Sequence, residues 1–135
     1  MENKDLIRLA LEAREMAYAP YSKYMVGAAL LTKKGKVYKG CNIENAAYTP
    51  SNCAERTAFF KAVSEGEREF EAIAIVGGYR GAPKDYAYPC GVCRQVMMEF
   101  CNPETFRIIT AISEEQYLER TLAELLPNGF GPNNL

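Results

Sequence analysis

The segment Val26 to Thr32 is apolar almost throughout, and the turn-forming run Lys33-Lys34-Gly35-Lys36 follows it. Side chains of a strand alternate between two faces, so a run apolar at every position must be covered on both. This reads as a central strand with packed layers above and below. Val37-Tyr38-Lys39-Gly40-Cys41 resumes as a second strand, and the two form a hairpin. Phe70 to Val76 is a further apolar, β-rich strand. Phe106 to Ile112 is another, and Gln116 to Thr121 is ambiguous between strand and helix. Leu6, Leu9, Ala10, Ala13, Met16 and Ala17 recur at helical spacing. They predict a helix from about Lys4 to Tyr18, with Asn3 as candidate N-cap and Ala19-Pro20 as its end. Helices are also expected from Asn52 to about Glu65 and from Gly91 to Phe100, with a short helical turn at Leu122 to Leu126. Asn42 to Pro50 and Gly77 to Pro89 read as loops. The order α-β-β-α-β-α-β-(β) predicts an α/β fold, a three-layer α/β/α sandwich around one mixed five-stranded sheet.

With 135 residues, the chain has material for one core, so a single domain over 1–135 is expected. Lys plus Arg number 16 against 17 for Asp plus Glu, a net charge of −1. That balance lacks the basic footprint of a nucleic-acid binder. The longest apolar stretch, Ala72 to Gly78, is too short to cross a membrane. The polar start Met1-Glu2-Asn3-Lys4-Asp5 offers no signal-peptide core. There is no histidine. This removes the Ser-His-Asp triad, the Cys-His dyad and any imidazole metal ligand. The cysteines number five, and an odd count is a poor disulfide framework. A cytoplasmic location, where thiols stay reduced and can bind metal, is the expectation.

Two segments carry chemistry. In Pro89-Cys90-Gly91-Val92-Cys93 the two sulfurs, three residues apart at the start of a helix, can reach one ion. The helix N-terminus favours thiolate there, and Gly91 is read as permitting close backbone approach. A redox pair or half of a structural zinc knuckle would use the same spacing. In Cys53-Ala54-Glu55, residues two apart diverge in mid-helix but can both bend toward the space before a first turn. Glu55 also has a purely structural reading. If Asn52 is the N-cap, Glu55 occupies the capping-box position. Taken together, three thiolates, one carboxylate and two helix N-termini could converge on one point. Three protein ligands leave a tetrahedral zinc with an open position. This donor set, with a non-ligand glutamate as proton shuttle, matches the signature of zinc nucleobase deaminases. Asn42 and Glu44 flank Ile43 after a strand, so both could face one ligand; an Asx turn with a solvated glutamate is the alternative.

Over almost its whole length the sequence resembles the small, homotetrameric, three-cysteine cytidine deaminases. The resemblance rests on five segments in order: Tyr21-Ser22-Lys23-Tyr24-Met25-Val26-Gly27-Ala28-Ala29, Gly40-Cys41-Asn42-Ile43-Glu44-Asn45-Ala46, Cys53-Ala54-Glu55-Arg56-Thr57-Ala58, Pro89-Cys90-Gly91-Val92-Cys93-Arg94-Gln95, and Leu125-Leu126-Pro127-Asn128-Gly129-Phe130-Gly131-Pro132. It implies a zinc ion held by Cys53, Cys90 and Cys93, with Glu55 moving protons between the attacking water, N3 of the pyrimidine and the leaving amine. Three thiolates against a divalent cation blunt its Lewis acidity, which Arg56 would offset by hydrogen bonding to sulfur. The resemblance assigns Asn42 and Glu44 to ribose hydroxyls and the Ala54 N–H to the base carbonyl. Tyr24 would flank the base; the family usually has Phe there. Phe130 would come from a neighbouring subunit and stack on the base, with Tyr48 near the same interface. A homotetramer with shared active sites follows, acting on a small nucleoside rather than on nucleic acid or membrane. Cys41 and Cys101 would be buried thiols, and Arg94 and Gln95 structural. Tyr86, Tyr88 and the tail after Gly131 carry no functional signal.

Other readings remain open from sequence. A deaminase of polynucleotide on the same scaffold would need a basic groove. A deaminase of a nucleoside-like antibiotic would not need Asn42 and Glu44. A non-enzymatic zinc module would recruit Cys41 or Cys101 as a fourth ligand and close the site.

Overall fold

The computed structural model describes all residues from Met1 to Leu135. Helix α1 spans Asn3–Arg14, strand β1 Met25–Thr32 and β2 Val37–Cys41, followed by α2 Ala54–Ser64 and β3 Phe70–Gly78. The chain continues with α3 Gly91–Phe100, β4 Arg107–Ala111, β5 Tyr117–Thr121 and the short α4 Leu122–Leu125, and closes in a 3₁₀ turn at Pro132–Asn134. The five strands form one sheet in the order β2-β1-β3-β4-β5. β3 and β4 are parallel and every other pair is antiparallel. The sheet is therefore mixed and five-stranded, as the sequence predicts, and the ambiguous Gln116 to Thr121 segment supplies its edge strand.

The three layers follow from alternation along the strands. Ala29 and Leu31 of β1, Ala72, Ala74 and Val76 of β3, and Ile109 and Ala111 of β4 pack with Leu6, Ile7 and Ala10 of α1. Their neighbours Ala28, Leu30, Ile73, Ile75 and Ile108 point the other way, onto Ala54, Ala58, Phe59 and Ala62 of α2 and Cys93 and Met97 of α3. Two glycines set how closely the helices approach. A Cβ at Gly27 would strike the backbone of Ala10 and Arg14, so α1 lies directly on β1. A Cβ at Gly40 would come within 2.5 Å of the Ala54 carbonyl oxygen and the Ala58 amide nitrogen, so α2 lies directly on β2.

Several boundaries differ from expectation. α1 stops at Arg14 rather than Tyr18 because the Tyr18 amide bonds to the Asn42 carbonyl and its carbonyl accepts from Glu44. That pairing pulls the segment into extended form and leaves Met16 exposed at 77%. Asn3 is the first helical residue, and Glu2 stands in the N-cap position without a side-chain cap. The cap of α2 is Cys53, not Asn52, because Asn52 exchanges two backbone hydrogen bonds with Ile43. Glu55 is thus not at the capping-box position. The capping box belongs to α4, between Thr121 and Glu124. β3 extends two residues past Val76, and no helix is long and apolar enough to cross a membrane.

Candidate active site and metal centre

Helices α2 and α3 both begin at the same end of the sheet, with cysteine as the N-cap of each: Cys53 for α2 and Cys90 for α3. Cys93 lies one turn into α3. The Cys53 and Cys90 sulfurs are 3.9 Å apart, those of Cys90 and Cys93 3.6 Å, and all three lie within 4.8 Å of one another. Tetrahedral zinc with Zn–S bonds near 2.3 Å requires sulfur separations of about 3.8 Å. The cluster therefore fits zinc in donor type and spacing. A Cβ at Gly91 would meet no atom within 4 Å, so no close approach within this chain requires glycine there. Cys41 is half-buried rather than buried, Cys101 is buried, and neither joins the cluster. The fourth-thiolate module consequently lacks its ligand within the chain.

Arg56 follows the α2 N-terminus and donates from Nη2 to the Cys53 sulfur at 3.2 Å. Its Nε is buried without a partner. The Cys53 thiol is lowered to about 5, first by its hydrogen bond with Cys93 and, against burial, by Arg56 and Cys90. Cys93, on the other side of that shared bond and buried, is pushed up. Cys53 thus gives up its proton before Cys93, and a divalent cation held among the sulfurs would favour thiolate in its ligands. Glu55 is 5% exposed. Burial raises its carboxyl to about 7, with the Cys53 charge adding to the effect. A buried carboxyl poised near neutrality can both accept and return a proton.

The cluster sits in a cavity of about 580 Å³. Its walls bring together Tyr24, Asn42, Glu44, Cys53, Ala54, Glu55, Arg56 and Cys90, while Cys93 is buried behind them. Both ends of the Asn42 carboxamide are engaged: Nδ2 donates to the Tyr24 carbonyl at 2.8 Å and Oδ1 accepts from the Val26 amide at 2.9 Å. Asn42 therefore ties the entry of β1 to the end of β2 and retains one amide proton. The Ser22 hydroxyl and the Ser22 and Tyr21 amides hold the Glu44 carboxyl below its ordinary value. Tyr24 packs edge-on against Tyr79 at 5.2 Å. Tyr48 and Phe130 do not reach this cavity; they are exposed at 77% and 58%. The Phe130 carbonyl accepts from Gln95 Nε2 at 2.8 Å.

The family model for the cytidine and deoxycytidylate deaminase zinc-binding region matches residues 1–109. The chain belongs to this family. A cytidine deaminase from Sporosarcina psychrophila is 50% identical over 135 residues, covering 100% of this chain and 96% of its own. The crystal structure of cytidine deaminase from Burkholderia pseudomallei superposes with a TM-score of 0.87 at 48% identity, covering 96% of this chain and 100% of that one. The enzyme from Mycobacterium tuberculosis gives 0.82 at 37% identity, covering 97% of this chain and 98% of its own.

Membership of this zinc-binding deaminase family agrees with the three-sulfur cluster, and the cofactor is one zinc ion. Sequence reasoning missed part of the cavity wall. Ser22, Tyr86, Ala87 and Tyr88 all line it. No local pattern singles out the two tyrosines, because Ala87 between them lines the same wall.

Proposed function

We propose that the chain hydrolyses cytidine and 2′-deoxycytidine to uridine and 2′-deoxyuridine, releasing ammonia, as a step in pyrimidine salvage. The observation that carries this reading is the buried Glu55 carboxyl beside three convergent cysteine sulfurs at the floor of a nucleoside-sized cavity. Cys53, Cys90 and Cys93 would hold zinc, which when bound supplies Lewis-acid activation of the attacking water. Glu55 takes up the proton that water loses and delivers it to N3 of the pyrimidine. With the water oxygen now bonded to C4, Glu55 moves the proton of that new hydroxyl to the exocyclic amine; the C4–N bond breaks, ammonia departs and the C4 carbonyl of uridine remains. Arg56 offsets the thiolate charge through Cys53. The Ala54 amide at the first turn of α2, where a helix leaves its N–H groups without intrahelical partners, receives the base carbonyl. Asn42 and Glu44 bind sugar hydroxyls, and Tyr24 flanks the base.

The chain works as one domain over 1–135, supported by its one continuous sheet. Phe130 and Tyr48 serve a neighbouring subunit's pocket in a homotetramer, supported by their exposure away from their own cavity. The substrate is a free nucleoside rather than nucleic acid, consistent with the balanced charge. A cytoplasmic setting suits the unpaired cysteines. The direct test follows ultraviolet absorbance of cytidine and deoxycytidine with and without chelator. Turnover of both that chelation abolishes and zinc restores is expected; activity indifferent to chelator would refute the assignment.

A further inference from the structure

Glu44 holds its place through a short segment that the reading above leaves unused. Its Oε1 accepts from the backbone amides of Tyr21 at 3.0 Å and Ser22 at 3.1 Å, and its Oε2 accepts from the Ser22 hydroxyl. The two amide bonds meet on one oxygen, and a carboxylate held by a single oxygen still pivots about it. The hydroxyl on the second oxygen removes that freedom. The Ser22 hydroxyl is itself fixed, because its oxygen accepts from the Tyr24 amide at 3.0 Å. That closure across Ser22, Lys23 and Tyr24 puts Lys23 at φ 64°, a left-handed conformation costly for a residue with a Cβ. The two oxygens of an ionised carboxylate accept about four hydrogen bonds. Three are taken, so one acceptor position on Oε2 remains, and the serine decides where it points.

We infer that Ser22 is a positioning residue for substrate: through its hydroxyl it fixes the carboxylate plane of Glu44 and aims the one free acceptor at a sugar hydroxyl. This rests on the proposed role of Glu44 in binding the sugar. Ser22 acts on binding rather than on the proton transfers of Glu55, so its signature is in KM.

The test is a double-mutant cycle on the zinc-loaded enzyme with cytidine as substrate. Ser22→Ala should raise KM about 5- to 20-fold, less than the full worth of a hydrogen bond to a charged group because the serine acts on substrate only through Glu44, with kcat within about twofold of wild type. Ser22→Thr, which keeps the hydroxyl, should recover most of the loss. In a Glu44→Gln background, where KM is already raised, Ser22→Ala should add less than about twofold. A Glu44→Gln enzyme with unchanged KM overturns the sugar-binding reading and this inference with it. If Glu44→Gln raises KM but Ser22→Ala does not, only the serine's role falls. Full additivity of the two changes, loss confined to kcat, or failure of threonine to rescue would likewise overturn it.

Discussion

Glu55 and Arg56 sit side by side on the first turn of α2 and do opposite electrostatic work. Glu55→Gln keeps size but cannot carry a proton. Turnover should fall by at least 10²- to 10⁴-fold, the usual scale for a general acid–base group, with zinc retained by elemental analysis. The buried carboxyl also ties stability to pH in the metal-stripped protein. Its folded value of about 7 lies above the ordinary 4.5. The folded state thus binds the proton more tightly, and the resulting stabilisation is complete below the unfolded value and lost as pH rises through about 7. Urea melts should find metal-stripped Glu55→Gln close to wild type at pH 5 and more stable at pH 8, by on the order of 1–3 kcal/mol. Arg56→Ala should lower kcat while leaving zinc bound, because Cys53 loses its charge-offsetting partner but not its place. An unchanged rate would remove charge compensation from the mechanism.

The three-sulfur cluster was legible in the sequence because it depends on residue type and spacing. Three cysteines, one glutamate and two helix starts suffice to specify the cluster. What could not be read were choices made by distant backbone. Asn52 and Cys53 are both acceptable caps by local rules. The cap falls on Cys53 because Asn52 is held by Ile43, a partner nine residues away in sequence. Likewise α1 loses its last turn to the pairing of Tyr18 with Asn42 and Glu44. The tyrosines at 86 and 88 gave no signal because their role depends on a loop path set by tertiary contacts.

At the scale of elements, the site depends on how α2 is seated. The helix rests on β2 at Gly40 with backbone against backbone, and backbone cannot swing aside as a side-chain tip can. Gly40→Ala should lift the helix start and displace Cys53, Glu55 and Arg56 together. A loss of about 1–3 kcal/mol in urea unfolding is expected from overpacking, accompanied by a fall in kcat although no functional side chain has changed. Native stability with full activity would show that α2 is seated more loosely than described.

At the scale of the whole molecule, the cavity is lined by groups of one chain, while Phe130 and Tyr48 stand outside it. If neighbouring copies complete each other's pockets, Phe130→Ala should raise KM, since base–aromatic stacking contributes about 1–3 kcal/mol. Mixed oligomers of Glu55→Gln and Phe130→Ala chains should regain activity above both parents, because some pockets then combine an intact Glu55 with an intact Phe130. Subunit exchange that yields only the average of the parents would exclude shared sites.

The placement of the sulfurs has a temporal consequence. Cys53 precedes β3 and Cys90 follows it, while β3 itself lies between β1 and β4 in the middle of the sheet. The three sulfurs are neighbours only once that strand has threaded into position and both helices have settled on the sheet. High-affinity zinc capture during refolding, followed with a competing chromophoric chelator, should lag the burial of the strand and never precede it. The ion then serves as a checkpoint. A chain whose central strand has slipped or failed to insert offers only the Cys90–Cys93 pair without Cys53, captures metal less tightly and stays inactive, so catalytic competence is granted only to molecules that have already folded correctly.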